Sequence, residues 1–278
     1  MAAETAKSPA KSASKKNIGP LLRAAAIIVL SSFTLAAAYF GLERTEQFLI
    51  RDPRFALPGP PDYGEASPSL IIEGTRFASL AQIRNVFAPD YGRSIYLLPL
   101  TARRNALLRL SWVRDATVQR VWPDRVVVHI VERQPAAFVE IPAGLLSRFA
   151  LIDADGVILD TPPKARFDLP VLRGVNPVEG QAMRGTRVRR MVHLLRDLGS
   201  LGNGISEVDV SDLDNLKIRM KVRYQTFLLI LGDGDFAARV RNFLDHYAEI
   251  RGRIPWATTL DLRLEDRITA VGDAPDGK

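Results

Sequence analysis

The chain has 278 residues, a net charge of +7, a pI near 9.8, 47% apolar and 25% charged residues, and no cysteine. That apolar share excludes broad disorder, and the missing thiols exclude disulfides, thiol catalysis and zinc–thiolate sites. A basic balance admits nucleic acid, anionic lipid or an acidic partner, and arginines spread along the whole chain favour none of them.

Residues 1–20 are dominated by Ala, Lys, Ser and Pro and read as a disordered tail. Residues 21–43 read as a transmembrane helix. From Ala24 to Leu42 there is no charge, about 19 residues or roughly 28 Å of helix against a hydrocarbon core of ~30 Å. Ala24, Ile27, Ile28, Leu30, Phe33, Leu35, Phe40 and Leu42 make up the anchor, and Ser31, Ser32 and Thr34 can bond back to the helix backbone. A cleaved signal peptide, with Ala36-Ala37-Ala38 as its processing site, needs an apolar run of only about 7–15 residues. Lys7, Lys11, Lys15, Lys16 and Arg23 outweigh Glu4 on the leading side, which keeps the N-terminus cytoplasmic. The bulk of the chain then lies outside the cytoplasm, which argues against nucleic acid as a partner. Residues 44–69, Pro- and Gly-rich from Asp52 onward, read as a linker.

The first folded unit is expected over 70–134. Leu70-Ile71-Ile72-Glu73 is a short strand closed by Gly74. Leu80, Ile83 and Phe87 share a helical face, with Ser79 as N-cap and Pro89 as a stop. Pro99 opens a second helix with Leu100, Leu107 and Leu110 as a partial stripe. In Val113–Val121, Ala116 and Val118 alternate with Thr117 and Gln119. In Arg125–Glu132, Val126, Val128 and Ile130 fall on one face and Val127, His129 and Val131 on the other. Period two means strands, joined at Trp122-Pro123-Asp124. Pro135 is expected to stop pairing. Strand, helix, helix, strand, strand is an α+β domain with two helices on one face of a small sheet.

This order behind a membrane anchor resembles a POTRA domain, and the details resemble the FtsQ/DivIB family of cell-division proteins. The matching pieces are Ile72-Glu73-Gly74, Gly92-Arg93-Ser94, Trp112-Val113-Arg114-Asp115-Ala116, Arg120-Val121-Trp122-Pro123 and Glu132-Arg133-Gln134-Pro135-Ala136-Ala137-Phe138. They continue with Leu151-Ile152-Asp153-Ala154-Asp155-Gly156, Leu169-Pro170-Val171-Leu172-Arg173-Gly174 and Asp261-Leu262-Arg263. Leu110-Ser111 stands where the family usually has Leu-Pro, and Leu264 where an aromatic often follows Asp-Leu-Arg.

Residues 135–272 read as a β-rich sheet carrying two helices, and 273–278 as a disordered tail. Phe149–Asp160 gives two strands about an Asp-Gly turn. Asp153, Asp155 and Asp160 lack the spacing and terminal Glu of a calcium loop, so a turn is the better reading. Arg184–Leu198 places Val188, Met191, Val192, Leu195 and Leu198 on one helical face. Its Arg184, Arg187, Arg189 and Arg190 read as a solvated outer face rather than a phosphate site. Ile205–Val210, Leu216–Val222 and Tyr224–Gly232 are strands, the last expected to be central. Gly232-Asp233-Gly234-Asp235 is a turn and helix start, followed by Phe236, Val240, Phe243, Leu244 and Tyr247 at helical spacing. Two closing strands follow in Ala257–Val271.

No catalyst emerges. His129, His193 and His246 lie far apart, without HExxH spacing, and no GxSxG elbow is present. The expectation is a non-enzymatic protein without metal or cofactor. The resemblance implies an inner-membrane, single-pass scaffold of the division septum. Its implied partners are FtsB (DivIC)-like and FtsL-like proteins and other divisome membrane proteins, and its implied role is control of septal peptidoglycan synthesis. It also implies a partner surface on the last strand pair, Thr259, Leu260, Asp261, Leu262, Arg263 and Leu264. Alternation there puts Leu260, Leu262 and Leu264 inside and Thr259, Asp261 and Arg263 outside, on an edge open to a partner strand. Arg263 suits a partner carboxylate. The competing readings are a POTRA chaperone for envelope proteins, which lacks its barrel here, and an anchored cell-wall binder. A binder is expected to show an exposed aromatic platform, whereas Trp112 and Trp122 at strand ends are expected to pack.

Overall fold

The computed structural model describes residues 19–60, 67–143, 146–163, 165–264 and 267–272. The expected tails lie outside these, except that Gly19 and Pro20 open the first helix. This helix, α1, spans Gly19–Arg51 and is long and apolar enough to cross a membrane. Ile27, Ile28, Leu30, Phe33, Leu35, Phe40 and Leu42 all project from it uncovered. Ser31 and Ser32 donate to Ile28 O at 3.0 and 2.8 Å, so their hydroxyls are satisfied within the helix. The helix runs eight residues beyond the expected end at 43, because Glu43, Arg44, Glu46 and Gln47 are sound helix formers although they are not apolar.

The stretch expected to be a linker is partly built into the first unit. After a 3-10 turn at Pro53–Phe55, Ala56 bridges to Ser94, and Leu57 is buried in the first core. Full burial of a leucine is worth ~1.5–3 kcal/mol, enough to hold a short segment against the domain. The strands β1 (Leu70–Glu73), β2 (Val113–Val121) and β3 (Arg125–Glu132) form a sheet in the order β1-β3-β2. β1 pairs parallel and β2 antiparallel to β3. The helices α2 (Leu80–Val86) and α3 (Leu100–Leu107) accompany it. The Ser79 hydroxyl caps α2 by accepting from Gln82 N–H. Val126, Val128 and Ile130 face the core with Ile83, Phe87 and Leu107, as their alternation requires. Gly74 sits at φ +79°, and a Cβ there would lie 2.1 Å from Ile130 O, so only glycine lets β1 turn away this close to β3.

The second unit is one nine-stranded sheet in the order β12-β11-β10-β9-β8-β7-β4-β5-β6. Its strands are β4 (Pro135–Ala143), β5 (Leu146–Asp153), β6 (Ile158–Leu159), β7 (Val171–Arg173), β8 (Ile205–Asp209), β9 (Leu216–Val222), β10 (Gln225–Gly232), β11 (Thr259–Asp261) and β12 (Thr269–Ala270). The helices α4 (Gln181–Leu198), α5 (Phe236–Asp245) and α6 (Tyr247–Arg253) accompany the sheet, one more than expected because the run after Phe236 breaks at His246. Val188, Met191, Leu194, Phe236, Val240 and Phe243 pack with Ile152, Val208, Ile218, Phe227 and Leu229 in one core.

Two expectations are corrected here. Pro135 does not stop pairing. It is the first residue of β4 and sits opposite Asp153, at the strand start, where a missing N–H is tolerated. Of the α4 arginines only Arg189 keeps the expected solvated position, exposed and donating to Thr186 Oγ1 at 3.2 Å; Arg184, Arg187 and Arg190 turn inward to the loops. Arg184 donates to Gly156 O and Pro177 O, Arg187 to Val210 O and Glu179, and Arg190 to Leu213 O and Asp233 O. They tie loop carbonyls to the helix.

The two units meet at an aromatic junction. Trp112 is 6% exposed and packs with Phe77, Phe167, Leu151 and Leu159. Its indole donates to Asp160 O at 2.9 Å. The Glu132 carboxylate accepts from the N–H groups of Arg76, Phe77 and Ala78 at 2.7, 2.8 and 2.7 Å. Arg133 donates to Asp153 at 2.7 Å and Asp155 at 3.2 Å. Asp153 is buried, and its other oxygen accepts from Asp155 N and Val157 N, so this acidic turn is held by an arginine and by its own backbone.

Candidate partner-binding edge

The last strands are placed by a crossover. β10 feeds α5 and α6, which return the chain so that β11 lies parallel to β10, with Leu228 opposite Thr259 and Ile230 opposite Asp261. Leu260 and Leu262 point into the core at 0% and 2% exposure. Leu264, expected inside, is 51% exposed. The cause is local: the Asp261 carboxylate accepts from Arg263 N at 3.0 Å, a side-chain turn that ends the strand and swings Leu264 out of register.

The open edge also differs from expectation. β11 is paired on both sides, to β10 and to β12, with Leu260 opposite Ala270 and Asp261 opposite Thr269. Among the described residues the unpaired side belongs to β12. Val271 N donates to Thr259 O at 3.0 Å, so in the antiparallel alternation the N–H and C=O of Ala270 are directed away from β11, toward solvent.

Arg263 stands beside this edge and is not a free guanidinium. Its Nε lies 3.0 and 3.1 Å from the two Asp261 oxygens and its Nη2 2.6 Å from Oδ2. This fork holds the Asp261 carboxyl below the usual carboxylate range, with the Arg263 backbone N–H and the nearby Arg239 adding to the effect against the cost of burial. Arg263 is raised in turn. Asp261 is mostly covered while half of the Arg263 side chain is exposed, so the acid orients a cation whose remaining N–H groups face outward.

Sequence reasoning missed two supports of this arrangement. Gly232, at φ +73°, leaves room where a Cβ would meet Arg239 Nη1 at 2.9 Å and Arg263 Cγ at 3.3 Å. Arg239 hydrogen-bonds Leu231 O from behind, at the end of β10. Glycine and aspartate in sequence signalled only a turn there. Elsewhere Glu140, Arg173, Glu207 and Arg219 run as a charge ladder across adjacent strands, with Arg173 Nε 2.9 Å from Glu207.

A helix of membrane-crossing length, a β-α-α-β-β domain behind it and a broad sheet whose last strand is paired on one side only define an α+β protein with one apolar N-terminal helix. Residues 68–133 match the family described as "POTRA domain, FtsQ-type", and residues 144–263 match "Cell division protein FtsQ/DivIB, C-terminal". The chain belongs to the FtsQ/DivIB family. It is 33% identical over 216 residues to the cell division protein FtsQ of Koribacter versatilis, covering 76% of this chain and 61% of that relative. The FtsQ of Novosphingobium aromaticivorans is 30% identical over 209 residues, covering 74% and 61%. That of Zymomonas mobilis is 38% identical over 104 residues, covering 37% and 32%. The chain thus spans less than two thirds of the length of these relatives. The family is one of cell-division proteins, and among the described residues one apolar helix fits a single-pass membrane protein.

Proposed function

We propose that the chain is a non-catalytic bitopic scaffold of the bacterial divisome. Its N-terminus faces the cytoplasm, and the units 70–134 and 135–272 stand outside the inner membrane at the septum. The outer side of β12 captures a strand of an FtsB (DivIC)-like protein, itself associated with an FtsL-like one, and through that complex helps control septal peptidoglycan synthesis. The observation that carries this reading is the outward-directed backbone of Ala270 beside the Asp261-oriented Arg263. Main-chain bonds supply affinity in strand addition, and a fixed cation selects a partner bearing a carboxylate. The set Thr259 to Leu264 takes part unevenly: Leu260 and Leu262 hold the strand in place, while Thr259, Asp261, Arg263 and Leu264 border the captured segment. Support for a non-catalytic role comes from what the buried and half-buried acids do. Asp90, Glu132, Asp153, Glu179 and Asp261 are engaged by arginines or backbone N–H groups in the framework.

The test is Ala270→Pro. It deletes an N–H that β11 does not use, so circular dichroism should be unchanged while capture of the purified partner in a pull-down falls at least about tenfold. Unchanged capture would remove the β12 edge from the site. Loss of midcell fluorescence in a tagged chain lacking 258–272 checks the septal part.

A further inference from the structure

We infer that the end of the β-α-α-β-β domain where α1 enters is a bilayer-facing surface, seated on the anionic phospholipid headgroups of the membrane that α1 crosses. This rests on the reading of α1 as a span. Past Leu42 the helix continues from Glu43 to Arg51, a further ~13 Å at 1.5 Å per residue. The headgroup layer adds about 5–8 Å on each side of the hydrocarbon. At a tilt of about 20° the domain then begins about 5–8 Å above the headgroup layer, within reach of extended arginine and tryptophan side chains.

The joint is also fixed. Ser94 Oγ donates to Leu49 O at 2.7 Å, near the helix end. Leu57 N donates to Arg93 O and Gly92 N to Leu57 O, both at 2.9 Å. Phe48, Phe55 and Trp122 then form a chain of edge-to-face rings, 5.7 and 5.5 Å between centroids, that locks the β2–β3 turn to the end of α1. Trp122, expected to pack, is left 49% exposed at this end. Arg51, Arg93 and Arg125 are exposed on the segments that meet here. None of the three makes an ion pair among the described residues, unlike Arg54, which is spent on Asp52. A half-exposed tryptophan with uncommitted arginines is the composition of a membrane–water interface. Continuity with the span singles out lipid as the occupant, and the uncommitted Arg51, Arg93 and Arg125 outnumber the uncommitted Glu43 and Glu46 at this end.

The experiment uses the full chain in nanodiscs of phosphatidylcholine alone or mixed with phosphatidylglycerol, with a spin label on the lipid headgroup. Trp112 is buried and Trp256 lies in the distal unit, so the label is expected to quench a fluorescence component that vanishes in Trp122→Phe. Quenching is expected to be about twofold stronger with phosphatidylglycerol, and to return to the phosphatidylcholine level in Arg51→Glu/Arg93→Glu. Equal quenching of wild type and Trp122→Phe overturns the surface, and equal quenching in the two lipids overturns its anionic preference. Co-elution with the disc reports the span separately. A chain that enters the disc with Trp122 unquenched refutes this surface and leaves the span standing, whereas a chain that fails to enter refutes both.

Discussion

Arg133→Ala tests whether the junction between the two units is held by one ion pair. Arg133 reaches Asp153 at 2.7 Å with both side chains largely buried, at 16% and 5% exposure. Its second contact, to the exposed Asp155 at 3.2 Å, is a surface pair worth little, ~0–1 kcal/mol. Removing one partner of a buried pair typically costs ~3–5 kcal/mol because the other charge is stranded. Asp153 keeps two backbone N–H bonds on its other oxygen, so a cost below that range, about 2–3 kcal/mol, is expected here. The loss is local, and native-state hydrogen exchange reads it directly. The amides of Asp155 and Val157, which donate to Asp153, should exchange roughly 30–150-fold faster, at 1.4 kcal/mol per tenfold. A double-mutant cycle with Asp153→Asn isolates the pair. Unchanged protection of those two amides, or additive single effects, would show that the aromatic cluster around Trp112 holds the junction without the ion pair.

Three further outcomes are expected. Gly74→Ala places a methyl group 2.1 Å from Ile130 O at a left-handed φ, so the midpoint of urea unfolding of the first unit should fall by the equivalent of at least about 2 kcal/mol. Arg263→Glu should reduce partner capture at least about tenfold in a pull-down while leaving the melting temperature within a few degrees, since both the fork and the outward cation are lost from a half-exposed position. Asp261 is held below its ordinary 3.8, first by the Arg263 side chain. The stabilisation it carries is therefore fully present above pH 3.8 and fades as the pH falls through the lowered folded value. A carbon-detected NMR titration should place its midpoint below 3.8, and Arg263→Ala should move it upward; no movement would break the link between the two residues.

The first unit was legible because its signals are local. Period-two alternation set β2 and β3, and a serine cap set the start of α2. What escaped depended on distant partners. β4 was hidden by Pro135, which looks like a stop until Asp153 is seen opposite it. The arginines of α4 have the spacing of a wet face, and only the folded loops bring carbonyls to them. The helix α1 outlasts the expected span because hydrophobicity marks the membrane and helicity does not stop with it. At the candidate site, Asp261 and Arg263 were identified as neighbours, but their mutual fork, the exposure of Leu264 and the outer position of β12 came only with the structure. The family fingerprints Trp112, Glu132-Arg133 and Asp153-Ala154-Asp155-Gly156 cluster at the junction between units and away from that edge.

The two ends of the nine-stranded sheet are unequal, and this limits what the molecule can assemble. At the β6 end the Asp160 carbonyl is already taken by the Trp112 indole, and Leu159 is packed beneath the aromatic rings. A sheet open at both ends can be extended from either side and invites growth of copies into a filament. If β12 is the capture edge proposed above, the cover that the first unit lays over the β6 end limits strand addition to a single event. On that proposal each copy of the chain is one receptor for one strand, and the number of assembled complexes follows the number of copies in the membrane.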